Sequence, residues 1–312
     1  MSQVSALTKE ARIALSREVM EGLATGDAFG EACSYYYDNA RATLSGNIPR
    51  LGAIRYTDDT EMASAIFEVL IRLGGIDEDV LAWQFRRRFH RDADRGYGKM
   101  TRRWLERTLA GEEWRAVTAE AFGGGSFGNG SAMRVAPSGV WFCDDVAKVV
   151  KMATASAVVT HAHPEGVAGA VAVALATAVA AAVAAAGLGE PAAMVAAEIF
   201  QTVTTYVSEG RTAMGIAAAR KLGTRTEVRE AAAALGNGAE ITCMDTVPFC
   251  LWNACRCLGD YREAIISTIE AGGDCDTNAA IVGGIVAAYT GAAAIPAEWL
   301  AVREALRIEG LK

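Results

Sequence analysis

The chain has 312 residues, 52% of them hydrophobic and 21% charged, with a formal net charge of -7. This composition supports a substantial core and excludes wholesale disorder. The acidic balance excludes a broad grip on nucleic-acid phosphates, and no sequence-specific nucleic-acid binding is expected.

Apolar residues recur at helical spacing along most of the chain, and long alanine-rich stretches with only six prolines favour helix. A first helix is predicted over 11–25, with Ile13, Leu15, Val19, Met20 and Leu23 on one side. A second covers 59–73 and ends at Gly74–Gly75. Helices follow near 79–90, 98–109 and 113–121, after which the run Gly123–Gly130 breaks the pattern. Later helices are predicted near 145–158, 164–187, 191–207, 210–220, 226–235, 245–258, 261–271 and 276–290. No stretch reads as a flexible linker, so the expected fold class is all-α, one compact multi-helix domain over 1–312.

Arg86, Arg87, Arg88, Arg91 and Arg95 read as a solvated helix face interleaved with Trp83, Phe85 and Phe89. Trp83, Trp104 and Trp252 read as core packing. Seven cysteines without a CxxC pair, mostly among apolar neighbours, read as buried free thiols in a reducing compartment, and the expected location is cytoplasmic. Lys9, Glu10, Arg12 and Arg17 interrupt any apolar run at the N-terminus, so no signal peptide is expected. The uncharged stretch Gly166–Gly189 is long enough to span a bilayer. It is mostly Ala and Val, with Glu165 and Glu190 at its ends, and is read as a packed core helix rather than a membrane anchor.

Four polar islands interrupt the helical pattern: Gly26–Glu31, Tyr56–Glu61, Gly123–Gly130 and Gly272–Thr277. The second and fourth each place crowded carboxylates and a threonine at the start of an apolar helix. Helix capping accounts for one such acid in each, with Asp58 and Glu61 as a variant capping box and Asp274 or Asp276 as the other cap. It does not account for several, because adjacent carboxylates repel unless a cation or proton neutralises them. An all-oxygen donor set suits magnesium or manganese better than zinc or copper. In the third island a glycine run lets backbone N–H groups converge on an anion, Ser126 adds a hydroxyl, and Phe127 can stack on a base. An ordinary flexible loop is the other reading of that run.

The order GDAFG, TDDT, GNGSAMR, TH and GGDCDT resembles the ADP-ribosylhydrolases, over roughly residues 15 to 292. The resemblance implies an all-α fold with a dinuclear metal cleft holding two magnesium ions, or manganese. Thr57, Asp58 and Asp59 match the family's first ligand cluster, and Asp274, Asp276 and Thr277 the second. Gly125, Ser126, Phe127, Gly128 and Asn129 match the loop that cradles the diphosphate and faces adenine. His161 matches a histidine that contacts the distal part of ADP-ribose, while His163 is read as structural.

There is one departure. Many members carry a glutamate a few residues after GDxxG, a position that falls near Ser34 here, whereas Glu31 directly follows Gly30. Glu31 is the acid–base candidate, and Tyr35, Tyr36 and Tyr37 are candidate cleft residues. The implied reaction is hydrolysis at the anomeric carbon of the distal ribose, with Asp58, Asp59 and Asp276 serving catalysis through the metals. The expected partner is ADP-ribose, or an ADP-ribosylated protein or small molecule. Two other readings stay open: a metal-dependent phosphoesterase acting on a nucleotide diphosphate, and a non-catalytic ADP-ribose-binding protein.

Overall fold

The first apolar stripe becomes helix α1, Lys9–Cys33, which runs through the glycine–aspartate island instead of ending before it. The structure is a computed structural model that describes residues 6–46, 53–187 and 189–310. The side chains of Tyr36 and Tyr37 lie outside that description, so two of the three tyrosines expected at the cleft are not placed. Tyr35 is exposed and does not line the cleft.

After a 3-10 turn at Ser34–Asn39 come α2 (Ala40–Gly46), α3 (Asp58–Leu73), α4 (Glu78–Arg91), α5 (Lys99–Leu109) and α6 (Trp114–Glu120). The glycine loop leads to α7 (Ala136–Trp141), α8 (Val146–Val158) and α9 (Pro164–Ala186). Then follow α10 (Ala192–Tyr206), α11 (Gly210–Lys221), α12 (Val228–Leu235), α13 (Cys243–Arg256), α14 (Tyr261–Glu270), α15 (Cys275–Thr290) and α16 (Ala297–Val302). Among the described residues there is no sheet, only isolated bridges at Ile54–Arg303 and Gly128–Thr242. The fold is one compact helical domain, as expected. The short helices α2, α7 and α16 lie outside the predicted elements, as do the 3-10 turns at Ser34–Asn39, Asn129–Ser131 and Ala292–Ala294.

The most extensive helix pairing joins α1 to α15. Gly22, Gly26 and Gly30 recur every four residues on one face of α1, and this face meets α15 at backbone distance. A Cβ on Gly26 would stand 2.0 Å from the Ala279 carbonyl oxygen, and one on Gly30 2.3 Å from that of Cys275. Each helical glycine sacrifices about 1 kcal/mol of helix propensity, and here the missing side chains let two helix backbones touch. Tyr261 of α14 locks the pair by donating its hydroxyl to the Gly22 carbonyl at 2.6 Å.

The apolar stretch forms α9, which is long and apolar enough to cross a membrane. In this fold α7, α8, α10, α13 and α15 pack around it, and 83% of its most apolar window is buried. All seven cysteines are free and buried.

The arginine cluster is not a solvated face throughout. Arg88 is 2% exposed, pairs with Glu61 and Glu68, and donates to the Arg307 carbonyl. Arg95 is also buried, pairing with Asp92 and Glu304. Arg86, Arg87 and Arg88 are consecutive in α4 and cannot share one side of a helix, so Arg88 turns inward and finds acids there. Trp104 and Trp252 are core residues, but Trp83 is half-exposed under the Arg87 guanidinium.

Candidate functional site: two aspartate clusters facing one cleft

The TDDT segment is the N-terminus of α3. Thr57, not Asp58, is the N-cap: its hydroxyl accepts from the Asp59 N–H at 3.3 Å. Glu61 does not close a capping box, because it is committed to Arg88 and Arg91. Beneath this turn lies Asp27 of α1, fully buried. Its carboxylate takes the Thr57 N–H at 3.0 Å, the Thr60 N–H at 3.0 Å and the Thr60 hydroxyl at 2.5 Å. Asp27 thus anchors the start of α3, and the Asp58 N–H reaches the Arg95 carbonyl at 2.7 Å.

The GGDCDT segment is the N-terminus of α15. Gly272 and Gly273 turn the chain through left-handed backbone, and Asp274 occupies the N-cap position without making a side-chain cap bond. Its carboxylate instead accepts from the Asn129 amide at 2.7 Å. Asp276 sits in the first turn of α15. Asp58, Asp59, Asp274, Asp276 and Thr277 all line a single cavity of about 690 Å³. Segments more than 200 residues apart in sequence therefore meet, because α1 packs on α15 and holds α3 through Asp27.

Crowding shows in the proton affinities. Burial, followed by the charges of Asp276 and Asp27, raises Asp58 well above the usual carboxylate range. Burial and then Asp27 do the same for Asp59. Asp274 is raised by burial and by Asp276, and Asp27 by the same two causes.

The glycine loop forms another wall of the cavity through Ser126, Phe127, Gly128 and Gly130. Its shape is fixed from the far side: Cys243 donates its N–H to the Phe127 carbonyl at 3.1 Å, and Asn129 donates its own to Ile241 at 3.3 Å. Phe127 stands 4.9 Å from Phe122 and edge-on to His163 at 5.4 Å. Phe122 and Ile241 are the two non-glycine residues with left-handed backbone among the described residues, and both are exposed on the cleft rim. For a β-branched residue such as Ile241 that conformation is strained, and strain of this kind gathers at functional sites. His161 also faces the cavity. Burial, and then the Arg134 charge, push its pKa down to about 3, so its ring is neutral at physiological pH.

Comparison with known proteins shows the family and the fold. Residues 8–312 match the ADP-ribosylglycohydrolase family. The chain belongs to that family. ADP-ribosylhydrolase ARH3 of Homo sapiens is 31% identical over 278 residues, covering 80% of this chain and 75% of the relative. The ADP-ribosyl dinitrogen reductase glycohydrolase of Rhodospirillum rubrum is 24% identical over 293 residues, covering 89% and 86%. A solved structure described as an ADP-ribosylglycohydrolase-related protein complex shares the fold, with a TM-score of 0.67 at 22% identity, covering 95% of this chain and 94% of that one.

Not every family position identified in the sequence lines the cleft. Gly125 turns away, packed against Ala162 and His163. Asn129 lines the cavity, yet its amide is spent on Asp274 and Thr246. Glu31 is exposed on α1 and lies outside the lining, although burial and the Asp276 charge raise its carboxyl. Ser34 folds back to donate to the Glu31 carbonyl at 2.9 Å. His163 caps α9 by accepting from the Glu165 N–H, a structural role as expected. Sequence reasoning missed Asp27 as an anchor, Phe122 and Ile241 on the rim, and Lys99 and Glu240 in the lining. Asp27 was within reach, as the only acid flanked by the two glycines of its island.

Among the described residues, no three His, Cys, Asp or Glu side chains stand close enough to hold an ion as folded. Local partners keep the acids apart: the Thr57 hydroxyl holds Asp59, and the Asn129 amide holds Asp274. Two features nevertheless suit divalent cations. The donor atoms facing the cavity from the two clusters are all oxygen. One buried oxygen, Asp59 Oδ1, has no hydrogen-bond partner, and a buried carboxylate oxygen left unpaired is expensive. A rotation about χ1 or χ2 re-aims each carboxylate, whereas the crowding of charge is built into the fold.

Proposed function

We propose that the chain is a metal-dependent hydrolase that cleaves an ADP-ribosyl linkage at the anomeric carbon of the distal ribose and releases ADP-ribose. The observation that carries this reading is the convergence of Asp58, Asp59, Asp274 and Asp276 on a cavity also walled by Ser126–Gly130. Thr57, Asp58, Asp59, Asp274, Asp276 and Thr277 would hold two magnesium or manganese ions. Bound there, such ions supply Lewis acidity and activate a water.

The remaining work falls to the protein. Ser126 and the loop backbone receive the diphosphate, and Lys99 in the lining adds a positive charge. Phe127 offers its ring to adenine. Cleavage develops positive charge on the sugar, and the acid-lined end of the cavity stabilises it. Glu31, whose carboxyl is raised, is the proposed proton donor to the leaving group. Glu240 lines the cavity directly, so it is the alternative donor.

Incubation with peptides ADP-ribosylated on arginine or serine, with and without magnesium, tests the proposal. Free ADP-ribose that appears only with metal supports it. AMP with ribose phosphate would indicate diphosphate cleavage, and binding without turnover a non-catalytic role; either overturns it.

A further inference from the structure

Arg134, in the turn after the glycine loop, is a fully buried cation with no carboxylate bonded to it among the described residues. Its guanidinium lies 4.6 Å over the Phe85 ring. It donates to the Ser156 carbonyl at 3.1 Å and to the Thr160 hydroxyl at 2.8 Å, and contacts the Met62 sulfur at 3.8 Å. Its Nε is without a partner. Burying a charge on such terms is costly, which raises the question of what the arginine does for the site.

The answer runs through Thr160, whose Oγ1 lies 2.6 Å from His161 Nδ1. A guanidinium can only donate, so the Thr160 oxygen accepts from Arg134 and its own proton needs an acceptor. Among the described residues, Nδ1 is the only other partner of that buried hydroxyl. Were Nδ1 protonated, the hydroxyl proton would be stranded, and a buried donor left without an acceptor is costly. Nδ1 therefore accepts, and the ring proton sits on Nε2. That nitrogen lies against the glycine loop: a Cβ added at Gly128 or Gly130 would stand 3.2 or 3.0 Å from it. No hydrogen bond to Nε2 forms among the described residues, and His161 faces the cavity.

We propose that Arg134 and Thr160 are positioning residues that lock His161 in the Nε2–H tautomer, making it a permanent hydrogen-bond donor to an acceptor oxygen of the bound ligand. The ligand, a nucleoside-diphosphate sugar, rests on the function proposed above; the locked tautomer does not. Long-range 1H–15N spectra of histidine-labelled protein, with His161 assigned through His161→Gln, read the tautomer without ligand and without any activity.

The wild-type chain is expected to show a single Nε2–H ring at neutral pH. Thr160→Val should release the ring to mixed tautomers and weaken ADP-ribose binding about threefold to tenfold, the worth of one net hydrogen bond. Thr160→Ser should restore both. An Nδ1–H ring in the wild type overturns the proposal, and so does Thr160→Val with an unchanged tautomer. A locked Nε2–H ring in a wild-type chain that fails to bind ADP-ribose leaves the relay supported and refutes the ligand instead.

Discussion

At Asp27 the metal-free fold and the proposed site make opposite demands, and Asp27→Asn separates them. Burial and the Asp276 charge lift this carboxyl from 3.8 to about 7. A group raised on folding supports the fold fully below its unfolded pKa and loses that support as pH rises to the folded value. Between pH 3.8 and about 7, Asp27 therefore removes about 1.4 kcal/mol of stability per pH unit, or ~4 kcal/mol by neutrality. An asparagine does not titrate there. Its amide oxygen can still take the two Thr60 donors, and what it gives up is a second oxygen facing the Thr57 N–H, about 1 kcal/mol at any pH. With metal chelated, the variant should be slightly less stable than wild type near pH 4 and roughly 3 kcal/mol more stable above pH 7. Urea unfolding at about pH 4.5, 6 and 7.5 measures the difference. A difference that stays flat with pH, or that favours wild type at the highest pH, refutes the idea that this buried charge burdens the fold. The same variant should bind magnesium about 10- to 100-fold more weakly, as a lost outer-shell partner does.

Asp58→Ala should keep its helical circular dichroism yet lose more than about 100-fold in ADP-ribose release, beyond what outer-shell changes at metal sites cost. Phe127→Ala should weaken ADP-ribose binding by calorimetry, by about 1–3 kcal/mol if the ring stacks on the base; unchanged affinity would remove Phe127 from the site. Gly26→Ala forces a Cβ to within 2.0 Å of the Ala279 carbonyl. Its unfolding free energy, measured with urea, should fall by at least about 1–3 kcal/mol, the cost typical of overpacking.

Helix positions were legible wherever an amphipathic or alanine-rich pattern ran for ten residues or more. The end of α1 was not. Gly26 and Gly30 around Asp27 look like a stop signal, but their spacing of four places them on one face. The contact they make with α15 outweighs a propensity loss of about 1 kcal/mol each. The short helices α7 and α16 carry six residues apiece, too few for a period to show. In the site, the acids could be named because crowding is visible in sequence. The outward turn of Gly125 and the commitment of Asn129 to Asp274 could not, since both depend on partners distant in the chain. Arg134 lies within the motif quoted for the family resemblance, yet its partners Ser156 and Thr160 are 22 and 26 residues away.

These particulars share one cause. Both acidic clusters begin helices, where the positive end of the helix dipole favours negative charge by only about 0.3–1 kcal/mol each. That is too little to assemble so many carboxylates. The assembly is instead imposed by packing: the α1 glycines set the α1–α15 distance, and α15 carries Asp274 and Asp276. One residue beyond Gly26, round the helix from the glycine face, Asp27 fixes the start of α3, which carries Asp58 and Asp59. The backbone therefore holds the acids in place before any cation arrives, and burial first, then the charges of the neighbouring acids, raises their proton affinity. Divalent ions bound as proposed would relieve the repulsion among these acids, so their stabilising effect should grow with pH as the competing protons leave.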